Sequence, residues 1–272
     1  MSNAVFCLQK NFSCKYVDLI PRPPKRSLDY VLPKRILMVL GGGTNPLEWD
    51  KIIEKRQTQL KEKARWFKDY SPGKLLNIRA QKGEFIWQMR QGGWEVEGVE
   101  LDSSVPNPTN LPIQFGDFLD IDFNDGEYDD ITFWAVLEHV YEPRLFFERV
   151  SRLLQPGGCI VGIVTNINSI QARVYQADDY PRHLTIFSKK SLNLLCNENN
   201  MELSGFKTDQ RLFGGALTGG LVYAAKRLFG YTLEETFSEW KQIKDPDLFS
   251  CQWRAKPSII VKNISRADRI FV

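Results

Sequence analysis

GDFLDIDFNDGEYDDITFWAVLEHVYEP, residues Gly116–Pro143, decides the fold. Its first half is acidic and turn-rich, with Asp117, Asp120, Asp122, Asp125 and Gly126 breaking any regular run. DITFWAV (130–136) is then apolar and rich in β-favouring residues, as a strand buried on both faces reads. Glu138 and His139 follow at once. Pro143 opens a helix that sets Leu145, Phe146, Val150 and Leu154 on one side. An acidic approach, a buried strand and a polar exit at the strand's C-terminal end is how open α/β sheets present a ligand site.

The same alternation runs outward in both directions. LLNI (75–78) is a strand, Glu84–Gln91 a helix stopped by Gly92-Gly93, and WEVEGVEL (94–101) a second strand. A loop leads to PIQF (112–115). After the helix at 143–154, Pro156-Gly157-Gly158 turns into GCIVGIVT (158–165). A short helix at 168–174, a helix at 188–197 with Ser188 as N-cap, and a strand at 201–209 follow. Strand and helix in strict alternation predict an α/β fold: a doubly wound, mostly parallel sheet with helices on both faces.

The flanks are read separately. Residues 1–45 are an irregular basic arm. Residues 46–211 are the α/β domain, led by a helix at 46–70 that Ser71-Pro72-Gly73 ends. Residues 212–272 are a C-terminal extension. Within it, 213–230 is apolar but too short to span a bilayer. It is open between a final strand, a docking helix and an interfacial element making peripheral membrane contact. SIIV (258–261) is left unassigned, and no strand pattern appears after Asp268, so the sheet is left open to being incomplete at its C-terminal end.

Composition excludes several classes. Apolar content of 43% and charged content of 25% in 272 residues predict an ordinary folded chain rather than a disordered one. No apolar run reaches membrane-spanning length and no signal peptide is legible, so a cytoplasmic protein is expected. Five scattered cysteines with no CxxC give neither a disulfide framework nor a zinc site, and no metal is predicted. Residues 1–75 carry 15 Lys and Arg against 7 Asp and Glu, whereas 76–150 carry 5 against 15. A basic arm before an acidic middle is not a nucleic-acid footprint, so no nucleic-acid partner is expected. The acidic middle suits a cationic ligand. Gly41–Gly43 also follows a short strand, but it lacks both GxGxxG and GxxxxGK[ST] spacing, so no nucleotide loop is assigned there.

The order of elements and the "YDDI…VLEHVYEP" stretch resemble the class I S-adenosylmethionine (SAM)-dependent methyltransferases, over about residues 74–211. The resemblance implies a Rossmann-like sheet of seven strands, the last antiparallel. It also implies methyl transfer from SAM to a small-molecule acceptor. LLNIRAQKGEF (75–85) aligns with the family's "LLDiGcGtGeF". Gly83 matches its third glycine and Asn77 stands where Asp is usual, so both are cofactor-binding candidates. Arg79 and Gln81 stand where the first two glycines are usual. Glycine serves there because the cofactor presses on the backbone. An added cation at about 6 Å from the sulfonium, at an effective dielectric near 20, costs roughly 3 kcal/mol, or about a hundredfold in affinity. The alternative is a methyltransferase-like protein that has lost SAM and serves as a non-catalytic partner or scaffold.

Four further sites follow from the resemblance. Glu100, ending the second strand, is the acid for the ribose hydroxyls. Asp117 is the acceptor for the adenine amino group, with Phe118 stacking on the ring. Ala135 lies beside the methionine moiety. His139 and His183, the only two histidines, fall on acceptor-side positions and are the candidate bases. Each has a plainer structural reading: a surface or turn acid, an ordered exit turn, a core or loop histidine.

Overall fold

The computed structural model describes residues 7–11, 16–20, 56–168, 183–208, 228–230 and 257–263. Two short strands, β1 (Cys7–Asn11) and β2 (Tyr16–Ile20), pair antiparallel near the N-terminus. Helix α1 covers 56–64 and tightens into a 3₁₀ turn at Arg65–Phe67. Then come β3 (Lys74–Ile78), α2 (Glu84–Gln91), β4 (Glu95–Glu100), β5 (Ile113–Phe115), β6 (Tyr128–Trp134) and α3 (Pro143–Leu153). The remainder is β7 (Leu154–Ile163), β8 (Thr185–Ile186), α4 (Lys189–Glu198), β9 (Met201–Thr208) and β10 (Pro257–Asn263).

Seven strands form one sheet in the order β5-β4-β3-β6-β7-β10-β9. β3 pairs parallel with β4 and β6, and β6 pairs parallel with β7. β10 alone is antiparallel, lying between β7 and β9. The SIIV segment left unassigned is therefore the antiparallel seventh strand, and it completes the sheet from within 212–272. Its signal was weak because a run of three apolar residues, Ile259–Val261, in a short stretch bounded by lysines fits a strand or a loop equally well. Only the open edges of β7 and β9 give it a place.

Alternation along the strands divides the core in two, because successive side chains leave opposite faces. Leu76 and Ile78 of β3, Ile131 and Phe133 of β6 and Ile160 of β7 pack with Phe146, Phe147 and Val150 of α3 and Leu192 and Leu195 of α4. Leu75, Cys159 and Val161 face the other way, onto Phe85, Ile86 and Met89 of α2 and Phe67. Helix α4 opens on a capping box: Ser188 Oγ accepts from the Ser191 N–H, and Ser191 Oγ accepts from the Ser188 N–H.

The N-terminal arm, expected to be irregular, contains β1 and β2. β2 also pairs with β8, giving a small three-stranded sheet. YVDLI has β-favouring residues, but a strand of five residues is settled by finding a partner edge. Residues 46–55 of the leading helix, the Gly41–Gly43 loop and the helix expected at 169–174 lie outside the described residues. So does 213–230, apart from 228–230. No helix among the described residues is long and apolar enough to cross a membrane.

From β3 the chain moves outward to β4 and β5, then returns past β3 to β6. The strand order reverses at β3/β6, so the crevice beyond their C-terminal ends is where such sheets bind ligands.

Candidate functional site

The loop leaving β3 holds the first half of the site. Arg79 and Gln81 adopt φ of +63° and +52°, and Gly83 follows at +78°. The backbone thus takes the left-handed steps that glycine makes freely, with side chains on two of them. Left-handed backbone costs a non-glycine residue roughly 1–2 kcal/mol. At Gly83 a Cβ would come within 2.6 Å of Leu111 Cδ1, so a side chain there would displace Leu111 and be strained by the positive φ.

Glu100 fastens this loop. It is buried at 3% exposure, and its carboxylate accepts from three backbone N–H groups. These are Gln81 at 2.8 Å, Leu101 at 2.8 Å and Asp102 at 3.3 Å. Arg79 Nη1 lies 3.6 Å from Glu100 Oε1. The guanidinium expected to intrude on the cofactor is therefore drawn toward the acid at the end of β4. Asn77 is buried inside the sheet, and its Oδ1 accepts from the Thr132 hydroxyl on β6 at 2.8 Å.

Beyond β5, Asp117 makes a tight turn, its carboxylate accepting from the Leu119 N–H at 3.0 Å. Phe118, only 5% exposed, packs 5.1 Å from Phe146 and 6.3 Å from Phe123, with the Arg149 guanidinium 5.3 Å above its ring. Its ring lies between these side chains and the rest of the core around α3.

At the end of β6, Ala135 has φ of +61°, a strained conformation for alanine, and donates its N–H to Ile163 at 3.0 Å. Such outliers concentrate at working sites. Trp134 beside it meets the edge of Phe85 at 5.0 Å and carries Lys63 Nζ 4.9 Å from its ring. Burial pushes the Lys63 ammonium down to about 8, against the opposing pull of Glu84. The sequence offered no signal for Lys63, one of many basic residues in the leading helix.

The last group joins two distant pieces of chain. Leu137–His139 is a 3₁₀ turn after β6, and the Leu184 N–H donates to the Glu138 carbonyl at 2.8 Å. That bond brings His183, two residues before β8, against the turn. The His139 and His183 ring centroids are 4.7 Å apart, tilted by 49°. Glu138 and His183 are wholly buried, while His139 is half-buried. The two histidines anticipated at the acceptor side are thus in contact, with a buried carboxylate beside them.

A family model described as a methyltransferase domain matches residues 51–204. The chain belongs to this methyltransferase family. Its fold recurs in solved methyltransferases at low identity. A SAM-dependent methyltransferase from Archaeoglobus fulgidus is 15% identical, with a TM-score of 0.52 over 76% of this chain and 94% of its own. A protein assigned as a sarcosine dimethylglycine methyltransferase from Galdieria sulphuraria is 15% identical, with a TM-score of 0.51 over 84% and 92%. The Haemonchus contortus phosphoethanolamine N-methyltransferase 2, solved with S-adenosyl-L-methionine, is 14% identical, with a TM-score of 0.52 over 76% and 52%. No curated protein matches the sequence. This methyltransferase accordingly has the class I Rossmann-like sheet, and its crevice lies where the strand order reverses.

Proposed function

We propose that this methyltransferase transfers a methyl group from SAM to a small-molecule acceptor. One observation carries the reading: the loop 79–83 keeps left-handed backbone at Arg79, Gln81 and Gly83, and is fastened to the buried Glu100. A loop that had lost its purpose is under no constraint to hold two side-chain-bearing residues in a costly conformation. Among the similar solved structures, one is named for sarcosine and dimethylglycine and another for phosphoethanolamine, all small molecules, which supports the acceptor class.

When bound, the cofactor supplies an electrophilic methyl group. The chain's residues divide the remaining work. Glu100 accepts from the ribose hydroxyls with lone pairs that its backbone donors leave over. Asp117 accepts from the adenine amino group. The backbone at Gly83 and Ala135 and the side chain of Asn77 border the methionine end. The excess of acids over bases in residues 76–150, 15 against 5, favours a cationic sulfonium there. His139, half-buried, takes the proton of the acceptor in the metal-free protein, with His183 behind it to share the charge. Most of the rate then comes from holding two reactants in line.

The Arg79–Glu100 pair favours a second reading. If the guanidinium keeps the ribose acid for itself, the protein is a non-catalytic scaffold of the same fold. Calorimetric titration with SAM and with its demethylated product separates the two. Micromolar binding supports the enzyme and removes the scaffold. No heat at millimolar ligand, with a folded protein, removes the enzyme.

A further inference from the structure

We propose that Glu138, His139 and His183 form a site for one divalent first-row cation, such as Zn²⁺ or Mn²⁺. One ligand atom from each lies within 4.8 Å of the other two. Donors on a common ion at bond lengths near 2.1 Å stand about 3 to 4 Å apart, so closing on an ion takes shifts of less than about an ångström. Two imidazoles and one carboxylate are a donor set that such ions accept, whereas Mg²⁺ and Ca²⁺ prefer all-oxygen surroundings.

The backbone holds the three in place before any ion arrives. Glu138 and His139 share the 3₁₀ turn, where the His139 N–H donates to Val136 at 2.9 Å. His183 is tied across by the Leu184 N–H on the Glu138 carbonyl at 2.8 Å, and β8 is anchored in turn on β2. Glu138 and His183 are both 0% exposed. His139 alone has solvent access, so an ion held here is approached from its side.

With the ion in place, both imidazoles are ligands and neither is a base. A hydroxyl oxygen that enters the coordination sphere loses its proton to solvent more readily, because the cation stabilises the alkoxide or phenolate. The ion's role thus rests on the methyl-transfer reading and narrows the acceptor to a molecule bearing a hydroxyl group. Binding of the ion rests only on the three side chains.

The test is equilibrium dialysis of the full-length protein against Zn²⁺ and, separately, Mn²⁺, with elemental analysis of the bound metal. Mn²⁺ distinguishes this site from cysteine thiolates, which hold Zn²⁺ but bind Mn²⁺ poorly. The expected result is one equivalent of each ion below 100 μM. His139→Asn and Glu138→Gln should each weaken binding at least tenfold, with circular dichroism and SAM affinity unchanged. His139→Asn, at the half-buried position, serves if Glu138→Gln does not fold. Less than a tenth of an equivalent of both ions, or equal binding by wild type and His139→Asn, overturns the proposal. SAM titration of the same samples keeps the two readings apart: metal binding without SAM binding refutes methyl transfer alone, and SAM binding without metal refutes the cation site alone.

Discussion

Arg79 Nη1 stands 3.6 Å from Glu100 Oε1, so a residue of the loop leaving β3 pairs with the acid that ends the neighbouring strand. The contact joins the two most telling positions of the site. Arg79 is 35% exposed at its side chain and Glu100 only 4%, so the pair sits at the mouth of the crevice rather than inside the core. A guanidinium with that exposure has room to swing outward, whereas the carboxylate is held by three backbone N–H groups.

Arg79→Gly should tighten SAM binding about tenfold, because the cation leaves the neighbourhood of the sulfonium and glycine accepts positive φ without strain. Titration calorimetry on wild type and variant reads the change. An unaltered dissociation constant would mean that the guanidinium already lies outside the cofactor's field.

Glu100→Gln should weaken SAM binding more than tenfold. It should also lower stability by about 1–3 kcal/mol, since the buried carboxylate accepts from three backbone N–H groups and faces Arg79. Urea unfolding supplies the second number. Weakened binding with unchanged unfolding would place Glu100 against the ligand rather than against the loop.

Acid should loosen the opposite rim of the sheet. Lys74 bonds to Glu127 and lies 2.9 Å from Glu97. The hydrogen bond from Lys74 holds the Glu127 carboxyl below the usual carboxylate range. A carboxyl depressed on folding contributes stability that is present above its unfolded value and is lost as pH falls through its folded one. Urea midpoints should therefore fall as pH drops below about 4.5, and Lys74→Met should remove part of that fall. Parallel curves for wild type and variant would refute the coupling.

Lys63 gives the same sign at the alkaline end. Burial holds its ammonium near 8, below its unfolded value. Between that pH and about 10.4 the unfolded chain binds the extra proton, so the native state gains stability as pH rises. Lys63→Met should flatten this alkaline rise in urea midpoints. A rise of equal size in the variant would assign it to another group.

Much of the architecture was legible in the chain. DITFWAV and LLNI announce buried strands because they are mostly apolar, WEVEGVE announces a strand by alternation with Glu95 on its exposed face, and Ser188 announces a helix because its hydroxyl can cap one. Glu100 was legible as the acid ending a strand. The 3.6- and 2-residue periods report only local geometry, so these features needed no knowledge of what packs against them.

The tertiary structure decided the rest. SIIV becomes the antiparallel seventh strand because two sheet edges await it, and the β1–β2 pair gains its place beside β8. Phe118 packs against Phe146 and Arg149. His183 lies more than forty residues beyond Glu138 and His139, and the pairing across Glu138 and Leu184 brings them together. Spacing along a chain fixes which residues share a face; contact between distant segments depends on which exposed edges and apolar faces find one another, and that is settled only when the whole chain has packed.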